Sequence, residues 1–510
     1  MTVDRAPAHD PMLLTARQRW TLLVVLGAGL VLIALDNSIL YTALPTLTRE
    51  LGASSTEGLW IINAYPVVMA GLLLGAGTLG DRVGHRRMFL IGLVVFAGAS
   101  LVAAFAPNPG VLIAGRAALA VGAAAMMPST LALIRVTFRD DRERNIAIAI
   151  WGSLAIVGGA AGPLLGGLLL ERLWWGSVFL INVPIAVLAF AVAARIAPPN
   201  DADPSKRWDL VSSLQIMVTL VGLVVAIKEL ATSDPSWPVA VIALIATVGG
   251  ALVFTRRQRR LPYPLLDLTI FRNPAFLSGV LAAGFAMFAT GGVQLVTTQR
   301  FQLVSDFSPL QAGLLVSALV LGSLPTALLG GAFLHVIGMR YLISGGLFVA
   351  AAGVLTTLYG ISAGFGWVIG GLALAGMGLG AVMAVASTAI IGNVPARRAG
   401  MASSVEEVSY EFGNLTAVAL LGALLGAVYT GTVELPAGAP AAAHDSLIGA
   451  ITTAGSDRGI LDAAFSAFDH GYAVVMVIAA AVLALAAAIT AVLLRRYGPG
   501  SASSAYDSSH

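Results

Sequence analysis

Apolar runs of about 20 residues recur from Trp20 to Leu494, and a run of that length crosses a hydrocarbon core of roughly 30 Å as one helix. No other feature restricts the fold as tightly. In lipid a backbone must satisfy its own polar groups, which leaves helices and closed barrels. Barrel strands are short and alternating, whereas these runs are long and continuously apolar. Fourteen begin near Trp20, Leu59, Met88, Val111, Ile146, Gly176, Leu210, Val239, Ala275, Pro309, Tyr341, Trp367, Ser403 and Tyr472. Only 11% of the 510 residues are charged, against roughly 25% in an average soluble chain. The expected fold is an all-α integral membrane protein with 14 transmembrane helices.

The charges fix an orientation. With both termini cytoplasmic, 23 of the 29 Lys and Arg residues fall in segments on that side and 5 on the other, and Arg116 lies inside a helix. That is the positive-inside pattern. The basic segments face anionic lipid, so a pI near 9.3 does not indicate nucleic acid as a partner. Met1 to Arg19 is polar, and the run after it is too long for a signal peptide. Cysteine is absent, which rules out disulfides and thiolate metal sites. The six His are scattered through loops and tails without ligand spacing, so neither a metal nor another cofactor is expected. A membrane-embedded enzyme would need a cluster of such groups, and a channel would need a ring of repeated filter residues. Neither pattern is present.

The spacing divides the chain into a cytoplasmic segment 1–19, a six-helix bundle 20–197 and a linker with two further transmembrane helices 198–260. A second six-helix bundle follows over 261–497 with an external loop at about 430–469, then a disordered tail 498–510. The two halves share a signature. Gly77-Thr-Leu-Gly-Asp81-Arg82-Val-Gly84-His-Arg86-Arg87 joins the second and third helices. Gly331-Ala-Phe-Leu-His-Val-Ile-Gly338-Met-Arg340 joins the tenth and eleventh with the same glycine spacing. Parallel repeats of this kind mark secondary transporters. Gly77, Gly80 and Gly84 let backbones approach closely, Asp81 can accept from a neighbouring helix N-terminus, and Arg82 can pair with an acid. The plainer alternative is a basic tight turn.

Acids inside apolar runs are the functional candidates, because a carboxylate in hydrocarbon needs a cavity, an ion path or a partner charge. Asp36 lies about midway along the first run with no Lys or Arg within helical reach. Glu407 and Glu411 are four residues apart and share a helix face, with Glu406 turned about 100° away, nearer Tyr410. Burial disfavours the charged form, so such a pair is suited to holding a proton. Whether Glu406 or Glu407 faces a cavity stays open, since Arg397 and Arg398 place both close to a helix end. Arg116 either pairs with a proton-carrying acid or snorkels to the surface. Tyr41, Trp60 and Tyr65 offer π faces to a lipophilic cation, or belong to the interfacial aromatic belt. Asn63 shares the stretch Trp60-Ile-Ile-Asn63-Ala-Tyr65. Acids from Glu434 to Asp469 either concentrate cations at an external mouth or decorate a solvated linker.

Four motifs make the resemblance specific, and together they span nearly the whole chain. Gly77 to Arg87 resembles G-x-L-x-D-R-x-G-R-[KR]-[KR], with His85 where Arg is common. Leu35-Asp36-Asn-Ser38-Ile-Leu-Tyr41-Thr-Ala-Leu-Pro45 resembles L-D-x-[ST]-x-x-N-x-A-L-P, with Tyr41 replacing Asn. Gly158-Gly-Ala-Ala-Gly162-Pro163-Leu-Leu-Gly166-Gly167 resembles G-x-x-x-G-P-x-x-G-G. Arg116 resembles the Arg of R-x-x-Q-G, with Leu119 and Ala120 at the Gln-Gly positions. These motifs resemble the fourteen-helix drug:proton antiporters of the major facilitator superfamily, the branch of the quaternary-ammonium and multidrug efflux pumps.

The resemblance implies two six-helix bundles plus two extra central helices, and export of lipophilic, mainly cationic drugs driven by the proton gradient. It implies proton or cation sites at Asp36, Glu406, Glu407 and Glu411 with Arg116, and a cavity that includes Tyr41, Trp60, Asn63, Tyr65 and Tyr410. It also implies a gating loop at Gly77, Asp81, Arg82, Gly84 and Arg86, and an exporter bend at Gly158, Gly162, Pro163, Gly166 and Gly167. Relatives often carry Asp at the Asn63 position, and its absence argues against divalent cationic drugs. A multi-pass protein of the cell membrane that works as a monomer is expected. Export of a single endogenous metabolite or self-made antibiotic would use the same motifs.

Overall fold

The computed structural model describes residues 14–204, 208–231, 235–262, 264–394, 399–455 and 457–498. The start of the 1–19 segment, Arg397 and Arg398, and the expected tail after Gly498 lie outside the described residues. In chain order the helices are α1 (Ala16–Leu51), α2 (Ser55–Val83), α3 (His85–Ala104), α4 (Pro109–Thr137), α5 (Asp141–Arg172), α6 (Ser177–Leu180) and α7 (Asn182–Ile196). Next come α8 (Leu210–Ala231) and α9 (Trp237–Gln258). The rest are α10 (Pro274–Leu303), α11 (Pro309–Ile337), α12 (Gly346–Ala363), α13 (Phe365–Ile391), α14 (Ala399–Thr432), α15 (Ala441–Asp445), α16 (Leu447–Thr453) and α17 (Arg458–Leu493).

Local chemistry sets where these helices begin. Thr15 with Gln18, Ser54 with Glu57 and Ser308 with Gln311 form reciprocal capping boxes, which satisfy two orphan N–H groups each. Asn108 and Asn273 cap α4 and α10, whose first position is proline, where the missing N–H has no cost. Thirteen helical spans among the described residues are long and apolar enough to cross a membrane. The fourteenth is α5. Leu154, Gly158, Gly162 and Gly166 meet Gly27, Ala34, Ser38 and Ile39 in that order, so α5 runs parallel to α1 through the same depth.

Packing repeats between the halves. In the first bundle α1 lies along α5, and α2 and α3 lie along α4; in the second α10 lies along α14, and α11 and α12 lie along α13. Each half has its own apolar core. The halves touch through two equivalent seams, α2 with α14 and α5 with α11. At the end of the molecule that carries Asp81, Gly84 and Gly338 turn with φ of 95° and 86°, a region that only glycine enters readily. The repeat seen in the sequence is thus a repeated backbone turn.

α8 runs antiparallel to α2. Trp208 and Ser213 rest on Gly75, and Met217 rests on Gly71. Higher up, Leu220 and Val224 join Val67, Ala70, Leu415 and Ala419 in a third apolar cluster. Arg257 donates to both oxygens of Asp209 at 2.9 and 3.1 Å and so fastens α9 to the start of α8. Burial works to raise the Asp209 carboxyl, but the hydrogen bonds from Arg257 and Ser212 outweigh it and hold the group below its usual range.

The segment expected as an external loop at 430–469 is largely helical. α14 continues to Thr432, α17 begins at Arg458, and α15 and α16 lie between them. The Tyr429 hydroxyl donates to the Ala443 carbonyl at 2.8 Å, and Leu447 and Ala450 are buried in the second core. Asp469 is paired with Arg300 at 2.9 Å. Apolar residues spaced along 443–464 therefore dock a segment whose acids alone read either as a cation-concentrating mouth or as a solvated linker.

Candidate functional site

Arg116 and Asp36 form an ion pair in which each side chain is 1% exposed. The snorkelling alternative for Arg116 is excluded, because its side chain runs into the first bundle. Its guanidinium also donates to the Ile61 carbonyl at 3.2 Å and to Asn37 Oδ1 at 3.3 Å, and it lies 4.7 Å from the centre of the Tyr65 ring. The Asn182 amide donates to the other Asp36 oxygen at 2.9 Å and lies 3.3 Å from Ser100 Oγ. Both Asp36 oxygens are therefore engaged, as a buried charge requires. Ser100, Asn182 and Asn37 were missed in the sequence. The available signal was a lone polar residue within an apolar run, notably Asn182 in Val178-Phe-Leu-Ile-Asn182-Val.

The acids of α14 separate into two environments. Glu406 is buried and accepts from Tyr410 Oη at 2.8 Å and from Ser387 Oγ at 3.2 Å, so it is tied to α13 of its own bundle. Glu407 and Glu411 are half-buried, and Glu411 Oε2 has no hydrogen-bond partner. Glu407, rather than Glu406, is the more open of the two neighbours. Asp36, Arg116 and Tyr65 meet inside the first bundle, while Glu411 stands on α14 across the gap between the bundles, three residues before Asn414. Tyr41 Oη donates to Asn414 Oδ1 on α14, which spans the same gap.

The remaining aromatic and amide candidates are placed differently. Arg116 already occupies one face of the Tyr65 ring, so that face is closed to a ligand cation. Trp60 packs against the α2/α8/α14 cluster, away from Asp36, because its face of α2 is the one that meets α8. Asn63 is fully buried, and neither of its amide atoms has a partner.

At the Asp81 end, the glycine loop is held by its own bundle. His85 Nε2 lies 3.0 Å from Asp81 Oδ1, and Arg86 donates to the Ala194 carbonyl at 2.6 Å. Asn200 donates to the Val83 carbonyl at 2.8 Å and accepts from the Arg87 amide at 3.0 Å. Arg82 is exposed, and Gly77 has open space beside it. The expected contacts from Asp81 to another helix N-terminus and from Arg82 to an acid are replaced by these local ones, since His85 is one turn from Asp81. A Cβ on Gly84 would lie 2.1–2.3 Å from the Asn200 amide. Gly84→Ala should therefore lower stability by about 1–3 kcal/mol from backbone strain alone, and a detergent melting curve no lower than the unmodified protein's would refute this.

The motif of α5 works on two neighbours. Gly158, Gly162 and Gly166 face α1, while Gly167 meets Leu310 of α11 and the Pro163 carbonyl meets Gly313. Pro163 has no N–H, which frees the Gly159 carbonyl one turn earlier. Ser38 Oγ donates to that carbonyl at 2.6 Å. The serine of the Asp36 motif thus satisfies the carbonyl that the proline of the α5 motif frees. Ser38→Ala leaves the carbonyl without a partner and should cost about 1–3 kcal/mol, whereas Ser38→Thr should keep most of the stability. Equal melting temperatures for the alanine and threonine variants would exclude this role.

Among the described residues, three contacts between the bundles lie toward the Arg172 end. Gln302 donates to the Thr42 carbonyl at 2.9 Å, Ser308 Oγ donates to Glu171, and Gly167 touches Leu310.

Residues 26–405 match the Major Facilitator Superfamily. The chain is 37% identical to the multidrug efflux pump LfrA of Mycolicibacterium smegmatis, with 94% of this chain and 97% of that one covered. It is 34% identical to the methyl viologen resistance protein SmvA of Salmonella typhimurium, covering 92% and 97%. It is also 31% identical to the puromycin resistance protein pur8 of Streptomyces alboniger, covering 96% and 94%. Among solved structures, a bacterial homologue of the human lysosomal transporter Spinster shares the fold with a TM-score of 0.68 at 17% identity, covering 95% and 98%. On the family match, the efflux-pump relatives and the shared fold, this chain is a multi-pass transporter of the Major Facilitator Superfamily and belongs with its multidrug efflux pumps.

Proposed function

We propose that the protein is a proton-coupled antiporter that exports lipophilic, mainly cationic drugs from the cytoplasm by alternating access. The observation that carries this reading is the buried Asp36–Arg116 pair of the first bundle, with the half-buried Glu411 on α14 of the second. Protonation of Asp36 removes the charge that holds Arg116, so the guanidinium is then drawn to the carboxylates of α14. Glu411, with an oxygen free of protein partners, takes the cationic centre of the drug, and Glu407 lies one turn away on the same face. Drug and Arg116 then compete for the α14 carboxylates. Proton arrival discharges the drug, and proton loss from Asp36 restores the original pair.

With the positive-inside orientation, the Asp81 end is cytoplasmic. The hydrogen bonds of Gln302 with Thr42 and of Ser308 with Glu171 then lie on the outside. Gly167, Gly313 and Pro163 allow the close approach on which the bundles rock. The proposed setting is the cell membrane with both termini cytoplasmic, one chain holding the whole pathway and no bound cofactor. The relatives SmvA and pur8, a methyl viologen and a puromycin resistance protein, support drug export.

The test is proton movement in vesicles that hold the reconstituted protein. Adding tetraphenylphosphonium across a preset pH gradient should collapse the gradient, and the collapse should depend on the protein. A folded, inserted protein that leaves the gradient intact with several lipophilic cations would sink this reading. The second reading, export of one self-made compound, draws on the 30% identity to the tetracenomycin C resistance and export protein of Streptomyces glaucescens. A narrow substrate profile in the same assay would favour it.

A further inference from the structure

One buried hydrogen bond joins the bundles beside the acids. Tyr41 Oη of α1 donates to Asn414 Oδ1 of α14, and each residue is 5% exposed. α10 leads to Ser308 at the Arg172 end, and α14 runs parallel to it, since Gly284 meets Gly413 and Gly292 meets Ala417 and Leu421. Tyr41 therefore stands five residues beyond Asp36, and Asn414 three beyond Glu411, both toward the Arg172 end. At 1.5 Å per residue, the two backbones are joined about 4 to 8 Å past their acids.

The helices around this bond are built for it. Gly291 of α10 lies against it: a Cβ there would come within 2.0 Å of Asn414 Oδ1 and 3.0 Å of Tyr41 Oη, so any side chain at that position would displace the amide. The next residue, Gly292, packs on Ala417 and Leu421, which holds Asn414 to its own bundle. In α1, Pro45 lies inside the helix. It has no N–H, so the Tyr41 carbonyl four residues earlier loses its helical donor, and the helix bends most readily there. The tyrosine that grips the second bundle thus sits where the outer part of α1 can swing.

We propose that Tyr41 and Asn414 are a latch on the outer side of the loading site. Their bond holds α1 to α14 while the site faces the cytoplasm, and it parts when the bundles separate on the outside. The inference rests on the alternating access of the reading above, and it gives Tyr41 a positioning role in place of a π face for the cation. A drug held at Glu411 meets this bond first. Gln302 with Thr42 and Ser308 with Glu171 close the path further out. A neutral hydrogen bond suits a contact that opens in every cycle, because water takes over both partners once the gap is wet and the net cost of breaking it is small.

The chain has no cysteine, so spin labels can be placed through Glu50→Cys and Thr432→Cys, two exposed positions at the outer ends of α1 and α14. The distance distribution in lipid nanodiscs gives the ratio of outwardly separated to closed protein. Tyr41→Phe keeps the ring, removes the donor and leaves the buried Asn414 amide short of a partner in the closed state alone. The ratio should move about tenfold toward separation. Gly291→Ala keeps both partners but pushes the amide aside, and should shift the ratio the same way. Two residues that act through one bond are not additive, so Asn414→Leu combined with Tyr41→Phe should shift the ratio no further than the larger of the two single variants. An unchanged ratio in Tyr41→Phe overturns the proposal. So does a lower melting temperature with an unchanged ratio, which makes the bond a packing contact, or a double-variant shift equal to the product of the single ones. Gradient collapse by tetraphenylphosphonium in vesicles of the unmodified protein judges the export reading on its own. An intact gradient together with the shifted ratio would refute export and leave the latch standing.

Discussion

Asp36→Asn is expected to destabilise the protein by about 3–5 kcal/mol, because Arg116 stays charged and loses its partner inside the first bundle. The pair is 1% exposed on both sides, so water cannot replace the carboxylate. The same substitution should abolish drug:proton exchange, since an amide holds no exchangeable acidic proton. The double variant Asp36→Asn, Arg116→Gln separates the two effects. It leaves neutral groups in the same space, with Asn37, the Ile61 carbonyl and Asn182 close by to bond them. Most of the stability should return while exchange stays absent. Thermal unfolding in detergent and gradient collapse in vesicles measure the two effects independently. If Asp36→Asn melts with the unmodified protein, Arg116 has another partner and the coupling scheme loses its first step. If the double variant exchanges drug for protons, Asp36 is not the proton site.

Glu411→Gln is expected to weaken binding of a lipophilic cation by about 10- to 100-fold, about 1.4 to 2.7 kcal/mol. The Glu411 Oε2 atom is buried without a protein partner, so the carboxylate is available to a ligand rather than committed to the fold. Stability should change little for the same reason. Glu407→Gln should have a smaller effect on affinity, because Glu411 remains on that face of α14. Glu406 differs again: its hydrogen bonds to Tyr410 and Ser387 make Glu406→Gln chiefly a packing change. Equilibrium binding to each variant gives the order of the three positions. Unchanged affinity in Glu411→Gln would move the cation site elsewhere.

How much could be read in the chain depended on whether the determinants were local. The spans were legible because crossing lipid needs a run of apolar residues that are contiguous in sequence. The glycine turn shared by Gly84 and Gly338 is local as well. Asp36 and Arg116 stood out singly, because a charge in an apolar run is conspicuous wherever it packs. The docked segment from Ala441 to Thr453 did not stand out, since its apolar residues gain meaning only against the core that receives them.

The sequence alone therefore determined the class of fold, the number of spans and the short set of intramembrane charges. Tertiary structure decided which of those charges meet: Arg116 with Asp36 and Asn182, Glu406 with Ser387, Ser38 with the carbonyl that Pro163 frees. It also decided that α8 lies over the seam between α2 and α14. The physical reason is that burial along a single helix is written in its own periodicity, whereas pairing between helices depends on residues 19 to 146 positions apart, whose approach only the packed bundle fixes.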